Sequence, residues 1–145
     1  GGSGIYLDNV DVCGVQFKEA YREKSLFFLL GCLNSPILRY VYSHVSDTFR
    51  GGYLSGNRQY LEDLVIPDPA CREYEEINGI ARDLENSVSQ YMGTRSRNKR
   101  KSIRKKVEKC EEDLNEVVAA GIGAGRKMKD RARHSIHSVI DAFDE

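Results

Sequence analysis

The sequence predicts an α+β fold, with a small mixed N-terminal piece (residues 1–67) followed by a helical hairpin or three-helix segment (residues 68–145). Near the N-terminus, short runs of β-branched and aromatic residues alternate, which is typical of strands. From Tyr74 onward, apolar residues recur every three or four positions, which is typical of helices that bury one face. A chain of 145 residues is long enough for one domain, or for a small domain with a helical extension.

The first piece begins with strand signals and continues with two helices. Residues 5–7 and 10–17 carry the alternating pattern and are separated by Asp8-Asn9, which indicates a hairpin or two short strands. Residues 24–34 are rich in Leu and Phe and predict a buried helix. Ser35-Pro36 should start a second helix reaching about Thr48, because serine caps helices and proline suits their first position.

The rest of the first piece is predicted to be a turn followed by short elements. Arg50-Gly51-Gly52 breaks the second helix, since glycine tolerates positive φ. Tyr53-Leu54 indicates a short strand, and residues 57–63 a turn or a short helix. Residues 64–66 predict a strand closed by Pro67.

The second piece is predicted to fold back on itself. Two apolar stripes are separated by a polar link at residues 93–98, so the two helices should pair antiparallel. The glycine-rich residues 121–125 end the second helix, and a third helix with one apolar face should follow. The stripes are Tyr74, Ile77, Ala81, Leu84, Val88 and Tyr91, then Ile103, Val107, Cys110, Leu114 and Val117, then Met128, Ala132, Ile136, Val139 and Phe143.

Several classes of protein are disfavoured by composition. The longest apolar run is too short to cross a bilayer, so no membrane contact is predicted. The four cysteines form no C-x-x-C pair, which disfavours a zinc site and favours a reducing cytoplasm. No secretory signal is visible at the N-terminus. The opening Gly-Gly-Ser-Gly is either a cloning remnant or the end of a glycine-rich loop, and we interpret the chain as a fragment.

The net charge of zero conceals an asymmetry. Residues 1–93 contain 8 basic and 13 acidic residues, a net charge of −5, and residues 94–145 contain 14 and 9, a net charge of +5. The basic excess is concentrated in residues 95–106. This run either follows a phosphate backbone or forms a solvated link between two helices.

A family resemblance rests on LLGCLNSPILRYVY, on RGGYLSGNRQYLEDLVIPDP, and on the helix opening at CREYEEI. In this order the pieces resemble the C-terminal specificity domain of TaqI-like DNA methyltransferases and of fused restriction-modification enzymes. They are also similar to specificity subunits of type I restriction systems. About 65 residues, roughly Gly4 to Pro69, carry the resemblance, and the helical tail lies outside it.

The resemblance implies a parent protein that binds a short DNA sequence and presents it to an adenine methyltransferase domain, with or without a fused nuclease. The parent would use S-adenosylmethionine. The Asn-Pro-Pro-Tyr type motif and the glycine-rich loop for the methyl donor are not in these 145 residues. We therefore predict no catalysis and no cofactor for this chain, with double-stranded DNA and the parent's catalytic domains as partners.

Two groups of residues are the candidates for DNA contact. Arginine suits guanine and phosphate, asparagine suits adenine, and a tyrosine hydroxyl suits phosphate. The alternative is that Tyr60 and Leu61 belong to the core, Arg50 pairs with a local carboxylate such as Asp47, and the glycines serve only a turn. The first group is Arg50, Tyr53, Asn57 and Arg58, and the second is Arg95, Arg97, Lys99, Arg100, Lys101 and Arg104.

Two functions follow from this sequence. The first is a DNA-recognition module of a restriction-modification enzyme, in which residues 1–67 are the distal part of a target-recognition domain. The second is a protein-interaction or assembly module in which the helical hairpin binds another subunit and DNA contacts are incidental. The salt dependence of binding distinguishes the two functions, because DNA binding weakens steeply with added salt whereas apolar pairing does not.

Overall fold

The computed structural model describes residues 17–46 and 58–144 of the chain. Two 3₁₀ turns, Glu19–Tyr21 and Val139–Phe143, accompany the helices in these ranges. The described residues contain no strand, so the predicted α+β class is wrong and the fold is all-helical. The helices are α1 (Leu26–Asn34), α2 (Pro36–Val45), α3 (Arg58–Glu62), α4 (Tyr74–Gly93), α5 (Arg97–Ile122) and α6 (Arg126–Ser135).

Helices α4 and α5 form the predicted antiparallel hairpin, with residues 94–96 as the link. Leu84 of α4 and Leu114 of α5 are both buried in the core that the two stripes build. Gly123 adopts a left-handed φ of 69° and its N–H donates to the last carbonyls of α5, so the glycine-rich stretch ends this helix as predicted.

Helices α1 and α2 meet at the predicted cap. The Ser35 hydroxyl accepts a hydrogen bond from the Leu38 N–H at 3.4 Å, and Pro36 occupies the first turn of α2. Helix α2 ends at Val45, short of the predicted Thr48. Helix α1 lies close against α4 because Gly31 has no side chain. A Cβ on Gly31 would lie only 2.8 Å from Cγ2 of Ile77.

The predicted strand at residues 64–66 is wrong, because this segment has no regular structure. Burial nevertheless alternates along it, since Leu64 and Ile66 are half-buried whereas Val65 is 67% exposed. The buried side chains pack on helices rather than in a sheet, and Pro67 lies against Gly121 of α5. The predicted strands at 5–7 and 53–54, and all but the last residue of 10–17, lie outside the described residues.

The third helix is shorter than predicted. Helix α6 ends at Ser135, and the non-helical residues 136–138 separate it from the 3₁₀ turn Val139–Phe143. Ala132 and Ile140 are buried, whereas Met128 and Phe143 are 41% and 49% exposed, so one continuous apolar face is not formed. A tertiary contact explains the break, because the carboxylate of Glu111 on α5 accepts the Val139 N–H at 2.8 Å.

The helices on either side of the predicted boundary at residue 67 share one core. Helix α1 packs on α4, and α2 packs on α5 and α6. The backbone N–H of Ser25, just before α1, donates to the Tyr74 hydroxyl at 2.8 Å and ties the start of α1 to the start of α4. The assignment of separate roles to residues 1–67 and 68–145 stays a prediction.

Replacing Leu114 with Ala should lower the free energy of unfolding by about 2–5 kcal/mol, because Leu114 is fully buried in the hairpin core. Urea denaturation followed by circular dichroism measures the change. Val65→Ala is the matched control, since its exposed side chain should cost well under 1 kcal/mol by comparison. Equal effects at the two positions would contradict the packing of the two helices.

Candidate nucleic-acid interface

The link between α4 and α5 (residues 94–96) lies in a stretch of sequence that contains no Asp or Glu. The last acidic residue of α4 is Glu85 and the first of α5 is Glu108. Between them lie eight basic residues: Arg95, Arg97, Lys99, Arg100, Lys101, Arg104, Lys105 and Lys106. All of them lie in the link or in the first three turns of α5, at one end of the hairpin. We call this surface the basic end.

The backbone at the basic end also favours anions. Ser96 is the N-cap of α5, and its hydroxyl accepts a hydrogen bond from the Lys99 N–H at 3.4 Å. The first turn of α5 contains no acidic residue. The N-terminus of a helix carries partial positive charge, which adds to the charge of the surrounding side chains.

Six of the eight basic side chains have no carboxylate partner among the described residues. They are exposed, whereas Arg126 and Arg133 of α6 pair with carboxylates of α6 itself and of α5. Free cations of this kind can meet the oxygens of phosphates without first breaking an ion pair. The six are Arg95, Arg97, Lys99, Lys101, Lys105 and Lys106.

The other two basic residues are held by the protein. The guanidinium of Arg100 lies over the ring of Tyr91, 5.0 Å from its centre, and its Nε donates to the carbonyl of Thr94 at 2.9 Å. Arg104 donates from Nη1 to Asp141 at 2.7 Å and from Nη2 to Asp144. The hydrogen bond to Asp141 raises the pKa of the Arg104 guanidinium further above its usual value.

Tyr91 connects the basic residues to the C-terminal segment. Its ring is buried at the end of the apolar seam, and its hydroxyl donates to the two oxygens of Asp144 at 2.6 and 2.7 Å. This hydrogen bond, with that from Arg104, lowers the pKa of the Asp144 carboxyl. Asp144 is therefore ionised at neutral pH beside two arginines.

A depression of about 400 Å³ opens at the basic end. Its lining is one aromatic ring and five cationic side chains, which suits an anion with several oxygens such as a phosphodiester. Its lining includes no carboxylate, thiol or histidine. The lining residues are Tyr91, Arg95, Arg97, Arg100, Lys101 and Arg104.

The structure brings the second predicted group together and does not describe most of the first. Arg95, Arg97, Lys99, Arg100, Lys101 and Arg104 all belong to the basic end. Arg50, Tyr53 and Asn57 lie outside the described residues, and Arg58 is the first residue of α3. Their roles in DNA contact stay predictions.

Sequence reasoning missed the acidic side of this surface. Asp141 and Asp144 lie 37 and 40 positions from Arg104 along the chain, and no local pattern links them. The only signal was the acidic composition of the last five residues, Asp-Ala-Phe-Asp-Glu. Tyr91 was expected to serve the apolar seam alone, yet it contacts Arg100 and Asp144 as well.

A buried carboxylate holds the C-terminal segment in place. Glu111 is 6% exposed and accepts hydrogen bonds from the Ser138 hydroxyl at 2.7 Å and from the Val139 N–H at 2.8 Å. Arg39 of α2 lies 3.4 Å from the same carboxylate. Burial nevertheless raises the pKa of Glu111 above its usual value. Glu111 thereby fixes the turn that carries Asp141.

Comparisons with protein-family models, with curated proteins and with solved structures found no match to this chain. No set of three metal-ligating side chains occurs among the described residues. None of the described helices has the length and apolar content to cross a bilayer alone, although α1 and α2 reach those values together with a 64° bend between them.

Glu111→Gln should change the dependence of stability on pH. The raised pKa means that the folded protein binds the proton more tightly than the unfolded chain does, so ionisation of Glu111 costs stability. The free energy of unfolding of the wild type, relative to the variant, should therefore fall as pH rises from about 4 to about 7. Urea denaturation of both proteins across this range measures it. A relative stability that rises with pH would contradict the assignment.

Proposed function

We propose that the basic end binds duplex DNA through its phosphate backbone and performs no chemistry itself. The observation that supports this most directly is the set of six exposed cations without carboxylate partners, among the described residues, around the N-terminus of α5. Each cation that neutralises a phosphate releases a condensed counterion, which favours binding at low salt. Phosphate contacts give affinity and orientation, whereas base contacts give sequence preference.

The resemblance to restriction-modification proteins extends this proposal. In that setting the chain is a DNA-recognition fragment of a site-specific, adenine-specific DNA methyltransferase, with or without a nuclease. The parent's catalytic domains, and not this chain, would bind S-adenosylmethionine. Base contacts from Arg50, Tyr53, Asn57 and Arg58 belong to this extension and rest on the resemblance and their chemistry.

The alternative function is a protein-interaction or assembly module in which the helical hairpin binds another subunit. Part of the apolar stripe is covered within the molecule, because Ile77 and Ala81 of α4 face α1 and Tyr91 is buried beside α5. The basic end, by contrast, is exposed. For this reason we favour DNA binding over assembly.

The proposal predicts salt-sensitive binding that disappears when the basic end is neutralised. The wild-type chain should bind random-sequence duplex DNA at low salt, with an affinity that falls steeply as salt increases. A fourfold glutamine variant should bind more weakly. Its slope of log affinity against log salt should be shallower by up to ~3.6, about 0.9 for each phosphate that is no longer neutralised. The variant carries Arg95→Gln, Arg97→Gln, Lys99→Gln and Lys101→Gln.

Fluorescence anisotropy of a labelled duplex over a salt series measures both the affinity and its dependence on salt. Arg100 is left unchanged because it packs on Tyr91. The matched control removes the same charge elsewhere and should retain the wild-type slope. An equal decrease in both variants would show attraction by net charge alone and would contradict the proposed surface. The control carries Lys18→Gln, Arg126→Gln, Lys127→Gln and Arg131→Gln, all at exposed positions.

A further inference from the structure

The acidic C-terminal residues occupy cations that the basic end would otherwise present to DNA. Asp144 contacts Arg104 through Oδ2 and lies 3.8 Å from Nη1 of Arg100 through Oδ1. Asp141 accepts from Arg104 at 2.7 Å. Both arginines line the depression at the basic end, so the carboxylates and a DNA phosphate compete for the same N–H groups.

We propose that Asp144 is an internal competitor of phosphate, which restrains DNA binding until the duplex displaces it. This proposal rests on the proposed function, because it concerns regulation of the same surface. A carboxylate and a phosphate offer oxygens of similar geometry to a guanidinium, so exchanging one for the other preserves the hydrogen bonds of Arg104.

The two carboxylates differ in how firmly they are held. Asp141 lies within the 3₁₀ turn, and its Oδ2 accepts the Ser138 N–H at 3.1 Å in a capping box. Glu111 holds the same turn through Ser138 and Val139. Asp144 follows the turn, and the partners of its carboxylate are the side chains of Tyr91, Arg100 and Arg104. A phosphate can therefore replace this carboxylate without breaking a bond to the backbone.

The side chain of Asp144 is also accessible enough for exchange. It is 33% exposed, and Arg104 is 30% exposed. Ion pairs at this depth are screened by solvent and salt, and contribute little to stability. A phosphodiester approaching the N-terminus of α5 gains the arginines together with the exposed cations beside them. The competition therefore favours DNA once several of its phosphates are bound.

Two substitutions release the arginines in different ways. Asp144→Asn removes the competing charge and should raise DNA affinity about 3- to 10-fold at low salt, with a salt slope steeper by ~0.9–1.8 as one or two phosphates are added. Tyr91→Phe leaves the net charge unchanged and removes the hydroxyl that orients Asp144. Tyr91→Phe should also raise the affinity for DNA, by a smaller factor than Asp144→Asn.

The experiment measures binding of a labelled duplex by four versions of this 145-residue chain: wild type, Asp144→Asn, Tyr91→Phe and Asp113→Asn. Asp113 pairs with Lys109 on α5, so its substitution matches the charge change outside the depression that Arg100 and Arg104 line. Thermal melting confirms that each variant is folded. Tighter binding by the first two variants and wild-type binding by Asp113→Asn would support the competition.

Two other outcomes would overturn it and are distinguishable. If the wild type binds DNA but Asp144→Asn binds no more tightly than Asp113→Asn, the competitor role is wrong and DNA binding stands. If none of the four proteins shows salt-sensitive binding, DNA binding by the basic end is wrong, and with it the competition.

Discussion

The structure depends on the apolar contact between α4 and α5. Neither helix can bury its stripe alone, and each covers the stripe of the other. Helix α1 then adds to α4 at Gly31, and α2 reaches α5 and α6. The link of residues 94–96 is short and α4 and α5 pack antiparallel, so the residues around it lie at one end of the hairpin.

This constraint turns a run of charge in the sequence into a surface. The carboxylates nearest the link are Glu85 on α4 and Glu108 on α5. The basic residues nearest the link therefore find few partners on their own helices. The partners that Arg100 and Arg104 do find come from the other end of the chain, through the turn that Glu111 holds. Tyr91 at the end of the apolar seam, the arginines of the basic end and the carboxylates of Asp141 and Asp144 are therefore linked by direct contacts.

The seam was predictable from the sequence because its contacts repeat at the spacing of a helix. The cap at Ser35 and the helix end at Gly123 were predictable because each depends on the chemistry of one or two neighbouring residues. The predicted strand at residues 64–66 failed because a short apolar run closed by a proline does not show whether a partner strand exists. The packing of this segment on Gly121 is a long-range contact.

The basic members of the candidate site were predictable in the same local way, from a dense run of Lys and Arg. Its acidic members were not, because Tyr91 and Asp144 are 53 positions apart. The length of the third helix was wrongly predicted for a similar reason. The apolar spacing continued through Ile136 and Val139, but Glu111 takes the backbone N–H that a helix would need.

The central claim is that DNA contacts the basic end of the hairpin. Its most direct test is amide chemical-shift mapping of the isotope-labelled chain during titration with a short duplex at low salt. The account predicts that the shifts concentrate at residues 91–106 and at Asp141 and Asp144, whose contacts with the arginines change. Shifts concentrated on α1, α2 or the far end of the hairpin near Tyr74, with residues 91–106 unaffected, would contradict it.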